Sequence, residues 1–441
     1  VTSELINNWA VPAGGGLLGL VCLLYALRAG RRLRLVENTP TSKTTGVFIG
    51  LVEITGTAEA EQPLTSTLTG STCVYYEWTV EEHWSKTVTE HYTDSKGRSQ
   101  TRTRRESGWT TVASGGDSTP FYLQDDAGVI LVRPDGAMIE PQGVMHTTVG
   151  REDPLYYGKG PDGAIAHSDH RRRFTEKIIA LHAPLYIMGQ AREREDIVAA
   201  EIARDPQAEM FLISTRSEQQ VGSGLRGAFW GLGLLGLIFT AAGFAVRTYM
   251  QQRDWSLDLD TWLSAGGSFL GAWMIGSVWM MYNSLVGLRA RVRQAWANVD
   301  VQLKRRNDLI PRLVEITRAF RDYEHNLQAE LAHLRAQLTA TAPGQPGPDP
   351  RACAGQLAVI VERYPELKAN ELFLTLQRCL VDTENRISLA RGYFNDIATF
   401  YNTRLTVIPD RFITALGAMR PAILMTADDF ERKPIRVNLA S

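Results

Sequence analysis

The chain has 441 residues, 44% of them hydrophobic, with 47 Lys and Arg against 48 Asp and Glu for a net charge of -1. That length accommodates two or three domains, each with its own core, and the balanced charge removes any global electrostatic case for nucleic acid or another strongly anionic partner. Four cysteines, Cys22, Cys73, Cys353 and Cys379, stand apart, without the CxxC or Cys-His spacing that builds a zinc site.

The first element is a charge-free stretch from Trp9 to Leu27, long enough to cross a bilayer as a helix. It is no secretory signal, because Glu4 precedes it and Arg28, Arg31, Arg32 and Arg34 come after it. The positive-inside rule then puts the N-terminus outside and the next segment in the cytoplasm. Residues 44–216 read as a β-rich domain. "TTGVFIGLVEITGT" and "STCVYYEWTVEEHW" carry β-branched and aromatic residues at strand spacing, and "TDSKGRSQ" supplies a turn between the ribbons His83–Tyr92 and Thr101–Ala113. "FYLQDDAGVILVRPDGAMI" alternates strands with glycine-marked bends, and residues 150–170 are expected to form a mobile insertion loop. Strands resume at Lys177–Leu181, Leu185–Ala191 and Met210–Thr215.

The runs "GLVEITGTAEA", "PLTSTLTGSTCVYYEWTVEE", "TPFYLQDDAGVILVRPDGA" and "LYIMGQA" resemble the GIDE domain, the membrane-adjacent β domain of membrane E3 ubiquitin ligases and of many prokaryotic proteins. In those ligases the activity belongs to a separate zinc-binding RING. This chain has no Cys-His framework for one, so the resemblance implies the domain without ubiquitin ligation.

Two further charge-free spans come next, 227–246 and 263–281, joined by the short acidic loop "QQRDWSLDLDTW". Arg289, Arg291 and Arg293 after the third span place the C-terminal region in the cytoplasm as well. From Leu285 the apolar residues continue at helical spacing through Leu303, which predicts one helix from the third span to Ile310, about 70 Å long at 1.5 Å per residue, with a kink or break at Pro311. A helix over Asp322–Leu338 and a loop at "TAPGQPGPDP" come after it. The stripe Phe373, Leu376, Leu380, Thr383, Ile387, Ala390, Phe394, Ile397, Tyr401 and Leu405 predicts a long helix with one packed seam.

"VQLKRRNDLIPRLV", "YPELKAN", "ENRI" and "YN" occur in this order, and the stretch that carries them, 282–437, closely resembles the LemA family. The resemblance implies a membrane anchor leading into an all-α antiparallel helical bundle in the cytoplasm, and it brings no established enzymatic activity. The chain departs from the simple family pattern by placing a GIDE-like domain and two extra spans ahead of that anchor. The fold class is thus a multidomain membrane protein, a β-rich GIDE-like domain plus an all-α bundle, with three transmembrane helices.

Two groups of residues stand out as sites. Gly15 with Gly19, Gly227 with Gly231 and Gly267 with Gly271 each form GxxxG, the spacing that lets two helix backbones approach in lipid, within or between subunits. The second group is polar and lies on or beside the bundle seam. Arg306 interrupts an apolar stripe and calls for an acidic partner, Glu384 or Asp382. Asp308 belongs to the local chemistry before Pro311. Asn385, Arg386, Asn395, Tyr401 and Asn402 form either a buried polar network or partner-binding face, or hydrogen bonds that fix helix register. "GSGLRG" at Gly222–Gly227 matches GxGxxG but opens a membrane span, and His167 and His170 with Asp169 lack a third converging ligand.

GxSxG, HExxH and P-loop motifs are absent from the sequence, so no catalytic, metal or cofactor residue is expected. The resulting expectation is a non-enzymatic scaffold of the bacterial inner membrane that self-assembles into a closed homo-oligomer. Its partners would be the lipid bilayer, copies of itself and protein clients, with no nucleic acid. An adaptor recruiting clients to a partner such as a membrane protease is the alternative.

Overall fold

The computed structural model describes residues 2–47, 49–93, 99–194, 199–206, 208–250, 259–319 and 371–425. The expected helix at Asp322–Leu338, the loop "TAPGQPGPDP", most of "QQRDWSLDLDTW" and the tip of "TDSKGRSQ" lie outside the described residues. The chain divides into two units, Lys43–Ser217 and the combination of Val1–Ser42 with Glu218–Ser441.

In chain order the first elements are α1 (Thr2–Glu37), β1 (Thr41–Ser42), β2 (Gly50–Glu59), β3 (Leu64–Thr65), β4 (Thr72–Thr93) and β5 (Ser99–Ser118). The strands β6 (Phe121–Gln124), β7 (Val129–Val132), β8 (Met138–Glu140) and β9 (Gln142–Gly150) come next, then the single-turn helix α2 (Pro154–Gly158). The β unit ends with β10 (Ser168–Ala180), β11 (Pro184–Glu193), β12 (Ala200–Ala203) and β13 (Leu212–Ser214). Strand β2 pairs with β6 on one edge and with β11 on the other, and β6–β7, β7–β12 and β12–β11 complete a closed five-stranded ring. Closure leaves these strands no shared open edge, and the inward residues Ile54, Leu123, Val132, Ile187 and Ile202 fill the interior. The alternation is plain in β6, where Phe121 and Leu123 are buried while Tyr122 and Gln124 are not.

A second sheet runs β3-β4-β10-β9, with β5 also on β4. The two expected ribbons are one hairpin, paired from Tyr75 opposite Ser118 to Thr93 opposite Ser99 with a single one-residue bulge between Val80 and Glu81. Trp78 faces Gly115 across it and Trp84 faces Gly108, so each indole ring lies over a position with no side chain. Residues 150–170 differ from the mobile loop expected. They contain α2 and the buried Tyr156, because the Arg172 side chain bonds their backbone directly.

The other unit is helical. The elements α1, α3 (Glu218–Met250) and α4 (Leu259–Ala319) each contain a stretch long and apolar enough to cross a membrane. Two more helices complete the described residues, α5 (Glu371–Thr406) and α6 (Asp410–Leu416). At 61 residues, α4 is continuous past Pro311 to Ala319, so of the kink or break expected at Pro311 the break does not occur. A proline inside a helix forfeits one hydrogen bond, about 3 kcal/mol, and a helix of this length retains its remaining bonds on either side.

Helix α5 packs antiparallel against α4: Trp296 meets Phe394 edge to face, and a chain of hydrogen bonds through Asn38 links Ser284 to Arg404. Ten residues on from Trp296 is Arg306, and ten residues back from Phe394 is Glu384, so the register brings these two level. Both are buried, at 1% and 3% exposure.

Candidate functional site: helix-packing glycines, a polar collar and a clamped tail

The six GxxxG glycines separate into two groups. A Cβ on Gly15 would stand 2.6 Å from the Phe239 carbonyl oxygen and 2.9 Å from Gly243 Cα, and one on Gly19 would stand 3.0 Å from the Gly236 carbonyl oxygen. These two glycines thus let α1 and α3 touch backbone to backbone within one chain. Around Gly227, Gly231, Gly267 and Gly271, by contrast, no described atom beyond their chain neighbours and the surrounding backbone of their own helix lies within 4 Å of a built Cβ. The partner stripe on α3 is Gly236, Thr240 and Gly243, which sequence reasoning missed. Its i, i+4, i+7 spacing of small residues was the available signal.

Beside the charge-free stretches of α1, α3 and α4, a polar collar joins five segments. Arg34 on α1 donates to both oxygens of Asp410, at 3.2 and 3.0 Å, and the Asp410 side chain is 1% exposed. Arg404 on α5 approaches the same carboxylate at 3.6 Å, donates to Glu37 at 2.9 Å and donates to Asn38 Oδ1 at 3.0 Å. Asn38 donates in turn to Ser284 Oγ on α4, and Arg226 on α3 donates to Glu37. Arg291 adds a bond to Thr39 Oγ1. Arg34 and Arg291, which follow the first and third charge-free stretches, are therefore also structural, and the acidic partner of Arg34, Asp410, was not legible because 376 residues of chain separate the two.

The seam polars divide as well. Asn402 Nδ2 donates to the Ala422 carbonyl and its Oδ1 accepts from the Ala422 amide, both at 2.8 Å. Asn395 does the same to Met425, at 2.9 and 2.8 Å, and the Tyr401 hydroxyl donates to the Arg420 carbonyl. Seven residues of helix and three residues of extended chain each span about 10 Å, so the two asparagines grip the tail in step. Neither reading from the sequence anticipated this arrangement, in which side-chain amides pair with main chain as a neighbouring strand would. Arg386 pairs with Asp382 at 3.0 Å one turn away, while Asn385 and Asp308 are exposed. Asp382 is thus engaged on its own helix, and Glu384 is the acidic residue level with Arg306.

In the β unit the buried charges are fully occupied. Arg172 makes two bonds to Glu82 Oε2 and three to the carbonyls of Tyr156, Pro161 and Gly163. Burial raises the pKa of Glu82, but hydrogen bonds from Ser168, Tyr156 and Arg172 outweigh it and hold the carboxyl below the usual value. The same balance depresses Glu176, which accepts bonds from Thr69, Ser66 and the Leu68 amide, and Glu201, gripped by Arg133 and Arg192. Carboxylates locked this way cannot serve as a proton donor near neutral pH. Asp169 bonds His83 and Ser85, and His170 lies 3.4 Å from the Tyr156 hydroxyl. Among the described residues no three His, Cys, Asp or Glu side chains converge as metal ligands.

Two family models match the chain. The LemA family model matches residues 295–439, and the GIDE model, described as E3 Ubiquitin ligase, matches residues 89–245. The first match begins inside α4 and the second ends inside α3, later than the 44–216 expected from sequence. Among curated proteins, magnetosome proteins MamQ 1 and MamQ 2 of Paramagnetospirillum magneticum are each 22% identical over 190 residues, covering 36% of this chain and 68% of the relative. Magnetosome protein MamQ of Magnetospirillum gryphiswaldense is 25% identical over 176 residues, covering 33% of this chain and 65% of the relative.

Proposed function

From a chain that joins a GIDE region to a LemA region, we propose a non-enzymatic scaffold of the bacterial inner membrane that assembles into a closed homo-oligomer. The observation that carries this reading is the split among the glycines. Gly15 and Gly19 are used up inside the subunit, whereas Gly227, Gly231, Gly267 and Gly271 present small-residue stripes with no described neighbour. Lipid supplies no hydrophobic force between helices, so close backbone approach is a principal basis for association there. Identical subunits meeting through different surfaces close into a ring or continue as a filament, and a membrane particle of defined size favours the ring.

The arginines after the first and third spans support a topology with the N-terminus outside and both soluble regions in the cytoplasm. A membrane-impermeant thiol reagent applied to intact cells should then label Asp260→Cys and spare Thr103→Cys. For the assembly itself, oxidation of Gly271→Cys in native membranes should yield cross-chain disulfides, and Gly15→Cys should yield none. Cross-links at neither position would reject the α4 stripe as an interface.

A second reading is favoured by one feature, the main-chain clamp on α5. A helix surface that grips an extended segment through backbone bonds is suited to holding a client peptide, which supports the adaptor role. Release of residues 419–425 on client binding, read by hydrogen exchange, would separate adaptor from scaffold.

A further inference from the structure

The turn between α5 and α6 exposes large apolar side chains where a soluble helical hairpin would carry polar ones. Ile408 is 67% exposed, Phe412 is 65% exposed, and Val407 is also exposed. We propose that this turn is an interfacial membrane anchor, with Ile408 and Phe412 entering the headgroup–acyl boundary of the leaflet from which α1 and α4 emerge.

The depth of the turn is set by contacts within the helical unit. Arg404 reaches Ser284 through Asn38, which sets the end of α5 level with Ser284. Ser284 is three residues past Met281, the end of the charge-free stretch of α4, or about 4.5 Å at 1.5 Å per residue. Because α5 runs antiparallel to α4, the chain after Arg404 continues back toward Met281, and Val407 and Ile408 are the next residues reached. Helix α1 gives an independent ruler. Asp410 is held by Arg34, seven residues beyond the charge-free stretch that ends at Leu27, so this ion pair lies about 10 Å of helix rise past the span. The polar interface of a bilayer occupies roughly 5–8 Å on each side of the hydrocarbon. The α4 ruler therefore puts the turn within the interface, and the α1 ruler puts the Asp410 ion pair at its outer edge, a few ångströms beyond the headgroups.

The turn is also the low point of its hairpin. Beyond α6 the tail climbs away again, from Ala422 beside Asn402 to Met425 beside Asn395. Charge complements the apolar residues: Arg411, between Asp410 and Phe412, is exposed, as is Arg32 on α1, and both suit anionic headgroups. An exposed aromatic and aliphatic pair flanked by arginine at this depth is the chemistry of an interfacial segment. The surface is continuous with the membrane already spanned by α1 and α4, which is why lipid rather than a second protein is the assigned occupant.

The test uses the full chain in nanodiscs of phosphatidylethanolamine and phosphatidylglycerol, with photo-reactive benzoylphenylalanine placed singly at Ile408, Phe412, Trp279 or Val301. Trp279 lies within the α4 span and is exposed, while Val301 is exposed about 25 Å farther along α4 than Ser284. Irradiation should give lipid adducts at Ile408 and Phe412, as at Trp279, and none at Val301. Hydroxyl-radical footprinting of the unsubstituted chain in the same discs should show Phe412 protected from oxidation, although the fold itself leaves it open. Adducts at Trp279 alone, protein–protein adducts at Ile408 or Phe412, or rapid oxidation of Phe412 would overturn the proposal.

Discussion

The two units of this chain treat buried charge in opposite ways. In the β unit, Arg172 has five hydrogen bonds, and Glu82, Glu176 and Glu201 accept bonds only from groups of the same unit among the described residues, up to 110 residues away in the chain. In the helical unit, the collar around Asp410 and Glu37 ties together segments from the two ends of the chain, and four glycines remain on open helix faces. One unit is a closed piece of architecture whose polar groups answer to each other. The other unit keeps surfaces that call for lipid or further copies, and the proposed function is accordingly located there.

The sharpest way to probe the closed unit is Arg172→Ala. It strands Glu82 in the interior and unpins residues 154–163, so the β unit should lose about 3–5 kcal/mol. Chemical denaturation monitored by the burial-sensitive fluorescence of Trp78 and Trp84 would measure it. A shift of less than a third of that size would mean that the loop is held by other groups.

Acid should affect the same unit next. The folded pKa values of Glu82, Glu176 and Glu201 are all depressed below their ordinary carboxylate values. Each therefore adds stability that is complete above the unfolded pKa, about 4.3, and is lost as pH falls through the folded value. The β unit should weaken progressively below about pH 4.3, and Glu176→Gln should flatten part of that dependence. An unchanged profile in the variant would remove Glu176 from the account.

In the helical unit, Asp410→Ala removes a bidentate partner from Arg34 while Arg404 keeps Glu37. The expected cost is about 1.5–3 kcal/mol, seen as faster hydrogen exchange at α6 and the end of α5, with the β unit unaffected. Equal changes in both units would contradict a local role for Asp410.

The smallest effect should come from Asn402→Ala, which deletes two neutral hydrogen bonds and costs about 1–2 kcal/mol. Exchange at Ala422 should rise and exchange at Met425, still held by Asn395, should rise less. Uniform release of the whole tail would show that the clamp acts as one cooperative unit.

Local chemistry was legible in the sequence and distant pairing was not. Charge-free windows located the three helices long and apolar enough to cross a membrane, and the alternation of strands with glycine-marked bends in "FYLQDDAGVILVRPDGAMI" located β6, β7 and β8. The short strand β12 was missed because four residues, Ala200–Ala203, carry too little periodicity. Ring closure rests on β2 meeting β11 about 130 residues later, which no local pattern encodes. Arg306 was recognised as buried because it interrupted an apolar stripe. Asn395 and Asn402 were recognised as special, but their target was hidden, since a backbone segment accepts such a clamp whatever its side chains.

The central claim is that the helical unit completes itself by self-association, and mass is its most direct measure. Native mass spectrometry of the full chain released from mild membrane extracts should give one discrete multiple of 49.0 kDa, lost when Gly267→Leu and Gly271→Leu are combined and kept when Asn402→Ala is introduced. A stable 49.0 kDa monomer from the wild-type chain, in extracts and in lipid nanodiscs alike, would contradict the account.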